Sequence, residues 1–434
     1  MSLSKRIDIF FIIATFLILF ISIAAMWDQP PHIDVAWRLY EVKSLLAGKQ
    51  MYVDFVGPNM PMITFVYTGA IAIERMLGVH EFTAYKVFTF LTIIPFSYLI
   101  YHLIKRHFLD NSILIKAVYV LYLILILIWP IGEFGQKEHF TLLFVLPYFL
   151  SRNLELSVKK QILIGVCAGI GFGIKPMFLL VPFLVEMYRW IIERKIIFTS
   201  DNLTLVIVTG TYYAFILLFF TEYLYIFQII LKVYDAYDIT YGFNTTLFPL
   251  DTLILLIAII AYFTKREIKE KHRIFITSLL VGSLGFFMIA ILQMKGWINH
   301  FYPGTVLASI AGLILLWPKE RSLQNYFPKG LFAAWIIFQI AYFVFPLQLA
   351  YQKRIYFNSP GYGQFISTLK TYTEGRKVHV FTTSLLFAFP TAQRAEYEPT
   401  SSFAYYWMLP KIVNAELAGK MSPGLIEAKR YMFE

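Results

Sequence analysis

Charge is scarce in this chain. Asp, Glu, Lys and Arg make up 15% of the 434 residues, while 58% are hydrophobic and 18% aromatic. A soluble chain carries about a quarter charged residues, so composition alone argues against a water-soluble globule. Cysteine is nearly absent. Cys167 stands alone, which excludes a disulfide framework within the chain and gives no basis for a Cys-based metal site. There is no Walker loop, no dinucleotide fingerprint and no G-x-S-x-G elbow, and no internal repeat of the kind that builds transporters from duplicated halves. The net charge of +11 is not accompanied by a basic-aromatic module, which sets nucleic acid aside as a partner. Excess Lys and Arg instead fit cytoplasmic loops held against an anionic leaflet.

What is present is a succession of long apolar runs. A crossing helix needs roughly 20 mostly apolar residues. The first run, Ile7 to Ala25, follows Lys5 and Arg6, is too long for a typical signal-peptide core and precedes no small-residue cleavage site, so it is read as a retained helix. Further spans are expected at Phe82–Ile104, Ile113–Ile131, His139–Leu150, Ile162–Ile174, Met177–Ile192, Leu203–Phe220, Leu250–Phe263, Ile274–Met294, Phe301–Trp317 and Leu331–Phe345. The apolar stretch Met60–Ile73 is left out. If it does not cross, nineteen of the 38 basic residues fall inside and nine fall in outer loops before Phe345. If it crosses, the cluster Lys265, Arg266, Lys269, Lys271 and Arg273 faces outward, against the positive-inside rule. Bounded by Pro61 and Gly78, the stretch has the length of an interfacial or re-entrant helix.

The expected fold is therefore an all-α polytopic membrane bundle of about 11 transmembrane helices, with its N-terminus inside. The membrane domain covers residues 1–347 and includes a first outer loop, 28–81, with interfacial helices. Residues 348–434 form a small extracytoplasmic α/β domain, with a strand expected at Lys377–Thr383. The expected location is the plasma (bacterial inner) membrane, with the functional face outside.

Polar clusters gather on that outer face. Asp34, in His32-Ile-Asp-Val-Ala-Trp-Arg38, opens an amphipathic segment and suits a helix cap or a reactive carboxylate, two compatible roles. Asp54 precedes the turn Gly57-Pro58 and is either an assistant to Asp34 or a turn carboxylate. Glu133 to His139 packs several ionisable groups between two spans. Glu138 and His139 there either hold a structural hydrogen-bond network or act on a substrate, and no second His at ligand spacing supports a metal. Lys86, Lys175, Lys295 and His300 form an outward-facing set on the wrong side for anchoring. Each Lys needs an anionic partner, either a phosphate or a carboxylate, unless it snorkels to the interface.

Taken in order, these features resemble the GT-C glycosyltransferases, in particular the branch of protein O-mannosyltransferases and aminoarabinose transferases. The resemblance covers roughly the first two-thirds of the chain. It runs through Asp34 after the first span, Ala47-Gly48 followed by Tyr52 and Asp54, a proline-bearing interfacial helix ending in Leu77-Gly78, Lys86 where the family commonly has Arg, Glu138 where many members have Asp, Gly169-Ile-Gly-Phe-Gly-Ile-Lys175, and Lys295 to Pro303. It implies transfer of a sugar from a polyprenyl-phosphate donor to a lipid, glycan or protein acceptor on the outer side. Asp34 would be the general base, with Asp54 and Glu138 as further catalytic carboxylates. Lys86, His139, Lys175, Lys295 and His300 would bind substrate, the cations offsetting phosphate charge. Glu138 would orient the acceptor or hold a divalent cation; no other cofactor is implied. Two rivals are a flippase for lipid-linked sugars, which calls for mid-span charges, and a surface-polysaccharide polymerase or ligase, which calls for Arg in a late outer loop. The loop Thr221–Pro249 has Glu222, Asp235 and Asp238 but no Arg.

Overall fold

A computed structural model describes residues 3–27, 29–233, 250–265, 270–293, 297–317 and 326–433. Lys295, Asp235 and Asp238 lie outside these residues. Helices α1 (Leu3–Met26), α2 (Ile33–Leu46), α3 (Met62–Leu77), α4 (Glu81–His107), α5 (Ser112–Leu127), α6 (Lys137–Ser151), α7 (Val158–Gly173), α8 (Leu180–Glu193), α9 (Ser200–Phe219) and α10 (Thr221–Val233) come first. They are followed by α11 (Leu250–Thr264), α12 (Glu270–Gln293), α13 (Ile298–Leu316), α14 (Tyr326–Phe357), α15 (Pro360–Thr373) and four shorter helices.

Among the described residues, six helical segments are long and apolar enough to cross a membrane: Lys5–Met26, Glu81–His107, Ser112–Glu133, Ser200–Phe219, His272–Gln293 and Ile298–Leu316. Leu250–Thr264 and Lys329–Val344 are shorter apolar helices. The fold is thus all-α and of membrane type. Of the other expected spans, α6, α7 and α8 are helices of 15, 16 and 14 residues, short of the length that a solitary crossing needs. The stretch after Pro61 forms α3, a 16-residue helix closed by Gly78 in the left-handed conformation. The last expected span does not stop at Phe345. Helix α14 continues to Phe357, because the next stop signal is Ser359-Pro360, where the Ser359 hydroxyl caps α15 by accepting the Tyr362 N–H at 3.2 Å.

The chain divides into two compact units. The first comprises residues 1–28, 91–209 and 240–352, and the second 29–90, 210–239 and 353–434. In the first unit α13 is the most enclosed of the long helices. Its small residues let neighbours approach: Gly304 lies against Phe287 of α12, and Gly312 against Trp335 of α14. Helix α7 is wedged in the same way between α6 and α9. A Cβ at Gly165 would fall 2.5 Å from the Asp201 carbonyl oxygen, and one at Gly171 2.7 Å from Val145 Cγ1.

In the second unit α2 packs on α3, and the Met62 N–H donates to the Tyr212 hydroxyl at 3.0 Å. The turn after α2 holds Gly48 and the buried Tyr52 at positive φ. Near the C-terminus the expected strand is reduced to Lys377–Val378, paired in parallel with Glu398–Pro399. The Glu398 and Thr400 N–H groups donate to the Arg376 and Val378 carbonyls at 2.9 and 3.0 Å, so Pro399 sits where its missing N–H is not needed.

Arg152, just past α6, staples three helices of the first unit. Its guanidinium is buried against the Tyr148 ring, donates to Glu186 at 2.8 Å and to the Tyr148 carbonyl at 3.1 Å, and pairs with Asp201. Removing it strands two buried carboxylates. Arg152→Met is expected to cost about 3–5 kcal/mol, seen as a clear fall in melting temperature in detergent. An unchanged melting temperature would show that the staple is dispensable.

Candidate functional site

The polar centre of the first unit is built on the beginnings of helices. Gln136 precedes α6, which places Glu138 in the first turn, where a carboxylate suits the helix N-terminus. Pro176 cannot continue α7, and the residue before a proline is driven to extended geometry. Lys175 accordingly has φ −133° and ψ 129°, at the break between α7 and the 3-10 turn Pro176–Leu179. Its ammonium pairs with the Glu138 carboxylate, and both side chains are buried. Asn299, in the first turn of α13, donates to Glu138 Oε2 at 3.2 Å and to Gln136 Oε1 at 2.9 Å. His300 Nε2 lies 3.9 Å from Glu138 Oε1. Gln136 reaches Glu133 in turn.

The sequence-predicted Glu138, Lys175 and His300 are therefore together. Lys175 has a carboxylate as its partner, one of the two partners its burial demanded. His139 has a different role. Its Nδ1 accepts the Gly135 N–H at 3.0 Å, so the proton sits on Nε2, which faces the Ile126 carbonyl at 3.0 Å. Both ring nitrogens hold backbone, the structural one of the two readings open to His139.

In the second unit Asp34 occupies the first turn of α2 and is half-buried. It is not the cap: His32 precedes the helix, and its Nδ1 accepts the Asp34 N–H at 3.2 Å. One turn on, Arg38 is buried in an ion pair with Glu41, whose other hydrogen bond comes from Thr64 of α3 at 2.8 Å. Burial opposes the Arg38 charge, but Glu41 and Asp34 outweigh it and hold the guanidinium above its ordinary range. Lys43 bridges Glu74 at 2.8 Å and Glu81 at 2.9 Å, tying α2 to the end of α3 and the start of α4. Burial would lower its affinity for a proton, yet Glu81 and Glu74 keep the ammonium above the usual lysine range.

Asp54 is exposed and accepts the Gln50 N–H at 2.6 Å, a turn contact. Lys86 donates to the Gln29 carbonyl at 2.7 Å. Among the described residues no three His, Cys, Asp or Glu side chains converge as a metal-binding group. Sequence reasoning passed over Gln136 and Asn299, because amides carry no charge to flag them. It also passed over Arg38–Glu41, although that helical i,i+3 spacing was readable. No protein-family model matches the chain, and comparison with curated proteins finds no match.

The Glu138–Lys175 pair makes a definite prediction. Glu138→Gln and Lys175→Met should each lower stability by roughly 3–5 kcal/mol, since each leaves an uncompensated buried charge. The double variant should recover much of that loss. Additive losses in denaturant titrations of the three variants would contradict the pairing.

Proposed function

We propose that this protein is a multi-pass membrane glycosyltransferase that moves a sugar from a polyprenyl-phosphate donor to an acceptor hydroxyl on the outer side of the membrane. The observation that carries the reading is the buried polar centre of Glu138, Lys175, Asn299 and His300 among apolar helices. Ionisable groups are expensive in such surroundings and mark function by default. The proposal includes eleven crossings with the N-terminus inside, the plasma membrane as location and an extracytoplasmic tail. The charge distribution and the shortness of α3 support that arrangement.

In the proposed reaction the acceptor oxygen attacks the anomeric carbon. Its proton passes to the Asp34 carboxylate, and the bond to the phosphate oxygen breaks to release polyprenyl phosphate. A lysine ammonium has three N–H donors. Lys175 gives one to Glu138, which leaves two for phosphate oxygens. His300 and Lys295 are assigned to the same leaving group, and Glu138 to holding Lys175 and the acceptor. Lys86 is assigned to anchoring the start of the first loop through Gln29.

Purified protein in liposomes, offered polyprenyl-phosphate sugars labelled in the sugar, is expected to label an acceptor. Asp34→Asn should lower the rate by roughly 10²–10⁴-fold with expression intact. Full activity in that variant would remove Asp34 as base. No transfer by wild type, together with an unchanged lipid and glycan profile in cells lacking the protein, would remove the glycosyltransferase reading. Orientation has its own test. With Cys167 replaced, a cysteine introduced at the exposed Ser112 should resist impermeant maleimide in intact cells. Labelling there would invert the topology.

A further inference from the structure

The first unit holds a second polar recess, distinct from the Glu138 centre. It opens where the chain leaves α6, beside the first turns of α7 and α9 and the end of α8. The cavity measures about 250 Å³, and its lining includes Arg152, Glu155, Gln161, Arg189, Thr199 and Asp201. Most of these groups are already engaged. Arg152 is committed to Glu186 and Asp201. Gln161 accepts the Ser200 N–H at 3.1 Å and donates to the Leu156 carbonyl at 2.9 Å. The Glu155 side chain is exposed, and its carbonyl takes a hydrogen bond from Arg106 at 3.0 Å.

Two donors are left over. Arg189 uses Nε on Glu193 at 2.8 Å, while its Nη1 stands 3.6 Å from Glu186, beyond hydrogen-bond reach. Among the described residues neither Nη nitrogen of Arg189 donates to the protein. The Thr199 hydroxyl is buried without a partner. Leaving a buried donor unsatisfied costs about 1–3 kcal/mol, so the Thr199 hydroxyl calls for an acceptor, and the part-buried Arg189 guanidinium opens on the same cavity. Helix α9 starts at Ser200, directly after Thr199, and adds the partial positive charge of its N-terminus. Lys159, Lys160, Arg194 and Lys195 are exposed on the same segments. Ile196 and Phe198, immediately before Thr199, are 68% and 73% exposed and offer an apolar surface.

A guanidinium, a hydroxyl and a helix N-terminus are together the chemistry that holds a phosphate. Of the two carboxylates on the lining, Asp201 is paired with Arg152, and the exposed Glu155 side chain faces solvent. We propose that this recess binds a phosphate group through Arg189 and Thr199, carried either on a lipid headgroup or as the free ion. The proposal is independent of sugar transfer.

The test uses the full chain in maltoside micelles and phosphate-free buffer, with melting followed by tryptophan fluorescence. Phosphatidylglycerol is expected to raise the melting temperature of wild type, and diacylglycerol, which lacks the phosphate, is not. Arg189→Gln and Thr199→Val should both lose the rise. Thr199→Val guards against misfolding, since its hydroxyl has no protein partner to lose. A rise with inorganic phosphate but not with phosphatidylglycerol would assign the free ion as ligand. No rise with either, or an equal rise in both variants, would overturn the site.

Discussion

A charge removed from water must be met by its opposite, and the helices of this protein are arranged around that demand. Two unit charges about 4 Å apart attract by roughly 1 kcal/mol in water and about 4 kcal/mol at the effective dielectric of a protein edge. Desolvation takes back much of that gain. Pairs such as Glu138 with Lys175, or Arg152 with Glu186 and Asp201, therefore contribute less to net stability than to register. Apolar helix faces slide past one another at small cost. An ammonium at the break after α7 meets a carboxylate in the first turn of α6 in one alignment only. In the second unit Arg38 with Glu41, and Lys43 with two carboxylates, fix α2 against its neighbours by the same logic.

Much of this was legible before the coordinates. Apolar run length located the six long apolar helices of the described residues, since the bilayer sets the length such a run needs. The Gly-rich run into Lys175-Pro176 announced a helix that ends where a cation is needed. Glu138, Lys175 and His300 were among the residues expected on the outer face, although the ion pair that joins two of them was one of two alternatives. Other features were hidden for physical reasons. Which of two adjacent residues faces inward depends on helix phase, and a shift of the α6 start to Lys137 put Glu138 in the polar centre and His139 against the backbone. The partner of an amide such as Asn299 is a matter of tertiary distance that no local pattern encodes. The strand near Lys377 was overestimated because its pairing depends on Glu398–Pro399, more than twenty residues away in sequence.

Each unit carries a polar feature that the proposed sugar transfer would draw on. The first holds a compensated cation with donors to spare, which can meet developing negative charge without prior rearrangement. The second carries a half-buried carboxylate one helical turn from a guanidinium whose charge is already balanced by Glu41.

The glycine wedge along α7 bears on how the first unit can move. With no side chain at Gly165 or Gly171, its backbone rests directly against α6 and α9. Rotation or sliding of α7 would drive its bulkier positions into the space those glycines vacate. Close packing of this kind switches between discrete arrangements and does not deform smoothly. The three helices thus behave as one rigid slab.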